Sequence, residues 1–186
     1  QDLMARQPGC ETHSVVACAA AMGVPVYTSS PGDSSIGMNV AAHELLGAGG
    51  CLIDSNRDVN EVAAIILDGT RNGCLILGGG SPKNFYLQGQ PTLWEIYGIP
   101  KGGNDYFIQI TTDQAVWGGL SGATPSEAVS WGKINPGKLP DTVVAYCDST
   151  IAFPILCEYV VGSEHSRRQP RRLMDRRDEI LAGLAR

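Results

Sequence analysis

The residues best suited to chemistry in this sequence lie in the segment 121–133, which reads SGATPSEAVSWGK. Lys133 stands two residues after Trp131 and six after Glu127. An aromatic wall that excludes water favours the uncharged form of a lysine amine, and an uncharged amine can attack an imine or carbonyl carbon. The same spacing also fits an ordinary surface lysine beside a core tryptophan. From these residues alone, both interpretations stay open.

The composition limits the classes of protein to which this chain can belong. With 186 residues, 43% of them hydrophobic, it can form one domain with a sizeable core. The net charge of −5 gives no general affinity for nucleic acid or for an anionic membrane surface. We expect neither a signal peptide nor a membrane span, because the sequence has no apolar run of about 18 residues and no charged-then-apolar leader.

The six cysteines predict neither a disulfide framework nor a metal site. They form no CxxC pair, and most lie within apolar runs, as buried thiols do in a reducing compartment. Cys10 and His13 have a spacing compatible with metal ligands, but two ligands do not define a zinc site. We therefore predict a cytoplasmic protein without a metal.

Strand-like and helix-like patterns alternate along the chain, which predicts an α/β fold with a largely parallel, Rossmann-like sheet and helices on both faces. Short runs rich in β-branched and aromatic residues predict strands at 24–28, 50–54, 74–77, 106–111 and 142–147. Longer apolar runs predict helices at 14–22, 38–46, 59–67 and from about 151. Gly89 and Pro91 are expected to divide the helical stretch 84–99 into two pieces.

The last part of the chain differs in composition. Six arginines stand between Arg167 and Arg177, against fewer acids, and a short apolar helix follows. In a chain of net negative charge, a solvated helix face or an oligomer contact fits these arginines better than an RNA-binding segment does. We predict an α/β domain over residues 1–162 and an Arg-rich C-terminal helix over 163–186.

Polar and glycine-rich loops follow the predicted strands. In a parallel sheet such loops meet along one edge, where α/β folds bind their ligands. Three glycines after the strand 74–77 let backbone approach a ligand, although they do not form the GxGxxG pattern. Asp33 suits a ribose hydroxyl or an amine, or else it caps the next helix. The residues expected to meet at this edge are Asp33, Gly78, Gly79, Gly80, Thr112, Ser121 and Asp148.

Four motifs resemble those of deoxyhypusine synthases, a family that includes homospermidine synthases. They are EAVSWGK at 127–133, DSSIG at 33–37, LILGGG at 75–80 before Lys83, and Asp148 shortly before Phe153. The resemblance covers most of the chain, from about residue 14 to about residue 153. It implies an NAD-binding fold and an enzyme that oxidises an aminobutyl group out of spermidine. The group then passes through a lysine imine to an acceptor amine.

The resemblance also implies roles for individual residues. Lys133 would be the nucleophile. Glu127 and Trp131 would hold the polyamine through a carboxylate and a cation–π contact, with Asn84 and Gly118 in the same substrate site. NAD would contact Asp33, Gly78, Gly79, Gly80, Thr112, Asp113, Ser121, Asp148 and Ser149.

Several positions depart from the family pattern. Met38 stands where the family has an acid, and Asn84 stands where it has a histidine. The acidic GSDSG loop of the family is GGLSG at 118–122 here, and Trp117 replaces the acid before it. Because each desolvated ammonium of a polycation needs a partner, these losses predict a changed substrate.

The residues and the resemblance together predict an NAD-dependent aminobutyl transferase that gives a homospermidine-type product from a small amine. Two alternatives stay open: a true deoxyhypusine synthase whose acceptor is a lysine of a translation factor, and a non-catalytic subunit of the same fold. The family forms tetramers and carries a long additional N-terminal portion. We therefore expect the C-terminal part of a longer protein, in a homotetramer or paired with a chain that carries the N-terminal half.

Overall fold

The structure is a computed structural model that describes residues 9–47, 49 and 51–185. A π-helical turn, Thr92–Ile96, directly follows the helix Ser81–Pro91. No helix within these ranges is long and apolar enough to cross a membrane. The regular elements in chain order are α1 (Val15–Ala21), α2 (Ser35–Leu45), α3 (Ser55–Asp68), β1 (Gly73–Leu77), α4 (Ser81–Pro91), β2 (Tyr106–Thr111), α5 (Pro125–Ser130), β3 (Thr142–Tyr146), α6 (Ser149–Gly162) and α7 (Arg177–Leu184).

The three strands form one parallel sheet in the order β1-β2-β3. Leu77 pairs with Ile110 and Thr111 pairs with Tyr146, so the three strands end side by side. Since all strands run in the same direction, the loops that follow them share one edge, called here the carboxyl edge. The predicted α/β class with a parallel sheet is confirmed.

Two apolar clusters hold the helices in place. In the first, Phe107 of β2 packs with Leu87 of α4 and Ala128 of α5, and this cluster fixes both helices on one face of the sheet. In the second, Ile66 of α3 packs with Ile180 of α7. Burying an aliphatic or aromatic side chain of this size contributes about 1.5–3 kcal/mol. The first cluster matters most for function, because α4 and α5 carry the predicted site.

Two of the five predicted strands are wrong: within the described residues, neither 24–28 nor 51–54 forms a strand. Tyr27 instead donates a hydrogen bond from its hydroxyl to Glu61 Oε2 of α3, at 3.2 Å. Asp54 caps α3 by accepting from the backbone N–H of Arg57, at 3.0 Å. Gly50 lies outside the described residues. β-branched composition predicts a strand only where a neighbouring strand is available for pairing.

Residues 84–96 form one continuous helical segment and 97–99 lie beyond its end, so the predicted division at Gly89 and Pro91 is wrong. Pro91 has no N–H, yet the helix widens after it into the π turn, in which the N–H of Tyr97 donates to Thr92 O at 3.2 Å. Gly89 permits close packing, because a Cβ there would lie 2.5 Å from Ile66 Cδ1 of α3. Neither Gly89 nor Pro91 therefore ends the helix.

The arginine-rich tail docks on α3. Ile180 and Leu184 of α7 are buried in the second cluster. The Arg177 guanidinium donates to Glu61 Oε1, whose residue is only 5% exposed. Arg176 pairs with Asp68 at 3.3 Å. Two of the arginines are thus paired with acids of the same chain. The division of the chain at residue 162 stays a prediction.

One face of the sheet is apolar and only partly covered. Leu75, Ile108 and Val143 form a row across the three strands. These side chains are 45%, 38% and 56% exposed, respectively. In α/β folds, parallel sheets normally bury both faces. This row is called here the open sheet face.

Candidate active site

A cavity of about 320 Å³ lies between α4, α5 and β2, near the carboxyl edge of the sheet. It brings together Lys133, Glu127, Trp131 and Asn84, four residues selected from the sequence. Its other lining residues are Lys83, Leu87, Gln88, Phe107, Leu120, Ala123, Thr124 and Ala128. The cavity thus combines two lysines and one carboxylate with mostly apolar walls.

Helix α5 positions three of these residues by local rules. Thr124 caps the helix by accepting from the Glu127 N–H at 3.2 Å. The helix ends at Trp131, and Gly132 adopts a left-handed conformation with φ of 66°. Only glycine takes up this conformation readily, and a Cβ at this position would lie 2.8 Å from Trp94 Nε1. Gly132 therefore turns the chain sharply so that Lys133 follows Trp131 directly into the cavity wall.

The amine of Lys133 has a defined environment. Its Nζ donates to Asn84 Oδ1 at 2.7 Å and lies 5.8 Å from the centre of the Trp131 ring. Burial lowers the pKa of the Lys133 ammonium below its ordinary value, and the negative charge of Glu127 opposes this shift. A lysine with a lowered pKa is a better nucleophile near neutral pH, because more of it is uncharged.

Asn104, which the sequence gave no reason to select, fixes the backbone of Lys133. Its side-chain Nδ2 and its backbone N–H both donate to Lys133 O, at 2.8 and 3.0 Å. The hydroxyl of Tyr86 donates to Asn104 Oδ1 at 2.9 Å. Asn104 is fully buried. It joins the turn after α5 to α4 and to the segment that precedes β2.

The residues predicted to bind NAD follow the strands at the carboxyl edge. Gly78, Gly79 and Gly80 follow β1, and Gly79 lies so close to Ser121 that a Cβ would be 2.6 Å from Ser121 Cα. Thr112 and Asp113 follow β2 directly. At Gly78 φ is 76° and nothing lies within 4 Å of the point that a Cβ would occupy, so backbone here is open to a ligand.

Asp148 caps the start of α6. Asp148 Oδ1 accepts from the N–H of Thr150 at 2.8 Å and from its hydroxyl at 2.6 Å. These hydrogen bonds, with that from the Thr150 hydroxyl as the larger, lower the pKa of the Asp148 carboxyl. Ser149 begins the helix. Both residues lie at the carboxyl edge, immediately after the end of β3.

Asp33 does not cap the helix that follows it. Ser34 does so, by accepting from the Gly37 N–H at 3.1 Å. Asp33 is exposed at the end of a 3-10 turn. The preceding loop is tied to the start of α4, since the hydroxyls of Ser30 and Ser81 lie 2.9 Å apart. Asp33 is therefore available for another partner, as its alternative role at a ribose or an amine requires.

The altered loop 118–122 contributes only part of its length to the cavity. Leu120 lines it, whereas Gly118 is not among the lining residues. Met38 is 64% exposed on α2. In the part of the chain that the structure describes, no group of three or more His, Cys, Asp or Glu residues could hold a metal ion.

The fold and the site define a class of protein: a parallel α/β domain with a half-buried lysine beside a glutamate and a tryptophan. The family model of deoxyhypusine synthase matches residues 3–160, and the chain belongs to that family.

Similar proteins occur in cyanobacteria and archaea. A deoxyhypusine synthase-like protein of Nostoc punctiforme is 52% identical over 183 residues, which covers 95% of this chain and 46% of that protein. The corresponding protein of Thermosynechococcus vestitus is 54% identical, over 94% of this chain and 45% of its own length. A probable deoxyhypusine synthase 2 of Archaeoglobus fulgidus is 40% identical, over 82% and 49%. The chain spans about half the length of these curated relatives.

Proposed function

We propose that this chain carries the lysine centre of an NAD-dependent aminobutyl transferase. One observation carries the proposal: Lys133, Trp131 and Glu127 line the same cavity, and the Lys133 amine lies 5.8 Å from the centre of the Trp131 ring. The lowered pKa of Lys133 supports a nucleophilic role. Family membership supports the same class of reaction.

In this proposal the donor amine binds with one ammonium near Glu127 and against the face of Trp131. NAD, when bound, would supply the two-electron oxidation of the donor amine and the matching reduction of the product. The Lys133 amine attacks the oxidised carbon, a new Nζ–C bond forms, and the donor C–N bond breaks to release the remaining amine. An acceptor amine then displaces Lys133. Asn84 Oδ1 orients the Lys133 amine throughout.

The residues at the carboxyl edge fit NAD. The backbone of Gly78 can approach a nucleotide closely, since nothing lies within 4 Å of the point that a Cβ would occupy, and we propose that Gly79 and Gly80 continue this contact beside Ser121. The exposed Asp33 and the ionised Asp148 offer carboxylate acceptors to ribose hydroxyls. We propose that Thr112, Asp113, Ser121 and Ser149 complete this site.

The acceptor in this proposal is a small amine rather than a protein lysine. Leu120 lines the cavity where the resembled family carries an acid, and Glu127 is the one carboxylate among the lining residues. A polycation that loses carboxylate partners binds less well, because each desolvated ammonium needs a counter-charge. A diamine therefore fits the cavity better than a triamine does.

Leu120→Asp is expected to shift selectivity towards the triamine. The new carboxylate can pair with a further ammonium, so kcat/KM for spermidine relative to a diamine should rise about tenfold, which corresponds to about 1.4 kcal/mol. Leu120→Asn is the matched control, because it adds a polar group of the same size without charge. Equal ratios in the two variants would show that charge at residue 120 does not set the selectivity.

The direct test of the proposed function is to trap the lysine intermediate. The whole protein is incubated with NAD and a candidate amine, reduced with borohydride, and analysed by peptide mass. An added aminobutyl mass on Lys133 is the expected result, and comparison of spermidine with other amines identifies the donor. Absence of an adduct with every amine, despite NAD binding, would favour a non-catalytic subunit.

We also propose that further polypeptide, of the kind that the longer relatives possess, covers the open sheet face in a cytoplasmic assembly. The support is the apolar row Leu75, Ile108 and Val143, together with the length of the relatives. In the whole protein, Ile108→Lys is expected to cost at least about 3 kcal/mol in the free energy of unfolding, because it would bury a charge. A cost below about 0.5 kcal/mol would mean that the face is solvated.

A further inference from the structure

Lys83 is a buried lysine within the wall of the same cavity. It belongs to α4, directly before Asn84, and is only 7% exposed. Its Nζ donates to Gln109 Oε1 at 3.1 Å and to Ala123 O at 2.7 Å. The Nζ also lies 5.8 Å from the centre of the Phe107 ring. A buried ammonium is costly unless acceptors satisfy it, and here two acceptors do so.

These hydrogen bonds join α4 and β2 to the loop that leads into α5. Gln109 is 1% exposed in the centre of β2. Its Nε2 donates to Ser121 O at 2.8 Å and to Gly78 O at 2.7 Å. Gln109 therefore holds the backbone of Ser121, and Lys83 holds the backbone of Ala123. Because α5 begins only two residues later, the placement of Glu127 and Trp131 depends on this buried network.

The cavity acts on the charge of Lys83. Burial lowers the pKa of Lys83, a thiolate at Cys74 on β1 and the carboxylate of Glu127 on α5 would oppose that shift, and the Lys133 ammonium adds to it. Burial raises the pKa of the Cys74 thiol to about 12, so at neutral pH it carries no charge. For Lys133, burial is the cause of the lowered pKa, so contacts that keep water away from its amine keep that amine uncharged.

We propose that Lys83 is a positioning residue for the chemistry of Lys133: it anchors the loop 121–123 beneath the cavity and thereby keeps Glu127 and Trp131 in place around the Lys133 amine. The purpose of this role rests on the proposed transferase function, but the effect of Lys83 on Lys133 can be measured whether or not that function is correct. The reactivity of Lys133 can be followed without substrate or cofactor.

The test is competitive labelling of lysines in the whole protein with a pulse of acetic anhydride over a range of pH, read by peptide mass. In Lys83→Met, the pH midpoint of Lys133 labelling is expected to rise by about half a unit, because a loosened loop 121–123 lets water reach the Lys133 amine. Lys83→Arg keeps the charge and is expected to stay near the wild-type midpoint. Lys138, which pairs with Asp141 and does not line the cavity, serves as the internal reference.

A second measurement covers the case in which Lys83→Met does not fold. Gln109→Met removes the other half of the network, so hydrogen exchange in peptides that cover 118–124 is expected to quicken and the labelling midpoint of Lys133 is expected to rise as well. A Lys133 midpoint that does not change in folded Lys83→Met, with unchanged exchange in 118–124, would overturn the proposal. If the midpoint rises as expected but no amine can be trapped on wild-type Lys133, the role of Lys83 stands and the proposed transferase function fails.

Discussion

Lys133→Arg is expected to abolish the borohydride-trapped adduct. The guanidinium keeps the positive charge and much of the length of lysine, but it stays protonated at any pH at which the protein is folded, so it cannot attack an oxidised amine. Loss of a residue that forms the covalent intermediate typically lowers the rate by a factor on the order of a thousand or more. The yield of adduct after a fixed reaction time, measured by peptide mass, provides the test.

Two controls separate loss of the nucleophile from loss of the fold. Lys138→Arg makes the same change at an exposed lysine on the 3-10 turn Pro136–Asp141, where the ion pair with Asp141 can be kept. It is expected to leave the adduct unchanged. NAD binding, measured by fluorescence, should persist in Lys133→Arg. An adduct on Lys83 in that variant would contradict our assignment and make the second lysine of the cavity the nucleophile.

The cavity residues nearest to Lys133 in sequence could be predicted because local rules place them. Thr124, Pro125 and Gly132 determine where a short helix begins and ends, and these limits fix Glu127 and Trp131 relative to Lys133. Asn84 reaches the same cavity from another helix, 49 residues earlier. The resemblance to a family indicated that contact, whereas hydrophobic periodicity did not.

The contacts that depend on long-range packing could not be predicted. Gln109 appears in the sequence as one polar residue in an apolar strand, and nothing local indicates that it binds Lys83 and two loops. For Lys83 a signal existed, namely its spacing of three residues after Gly80. The predicted strand at 24–28 is wrong for a related reason. A segment forms a strand only where a neighbouring strand is available for pairing.

Asn104→Leu is expected to be the most disruptive change among the residues that support the site. The side chain is fully buried, donates to Lys133 O at 2.8 Å and accepts from the Tyr86 hydroxyl at 2.9 Å. Leucine has about the same size but makes neither hydrogen bond; Lys133 O retains the Asn104 N–H, and the Tyr86 hydroxyl retains Gly73 O at 3.3 Å. A buried polar group that loses a partner costs up to about 1–3 kcal/mol. We expect a loss of about 2–4 kcal/mol in the free energy of unfolding, measured by urea denaturation.

The same change should impair the chemistry beyond the loss of folded protein. Lys133 O would keep only the backbone N–H of Asn104 as donor, at 3.0 Å, so the turn that carries the reactive amine would be less constrained. A small displacement of a reacting group can cost a factor on the order of a hundred in rate. Adduct formation is therefore expected to fall at least about tenfold at a temperature at which the variant is fully folded.

A double-mutant cycle with Tyr86→Phe tests this explanation. If the cost of Asn104→Leu arises partly from the hydrogen bond that the Tyr86 hydroxyl loses, the double variant should lose about 0.5–1 kcal/mol less than the sum of the two single variants. Asn39→Leu provides the matched control, since Asn39 lies exposed on α2 and, among the described residues, its side chain bonds within its own helix, to Ser35 O at 2.7 Å. It is expected to change stability by less than about 0.5 kcal/mol. Strict additivity of the two buried substitutions would show that Asn104 stabilises the turn through Lys133 O alone, and equal losses in Asn104→Leu and Asn39→Leu would contradict the role of Asn104 altogether.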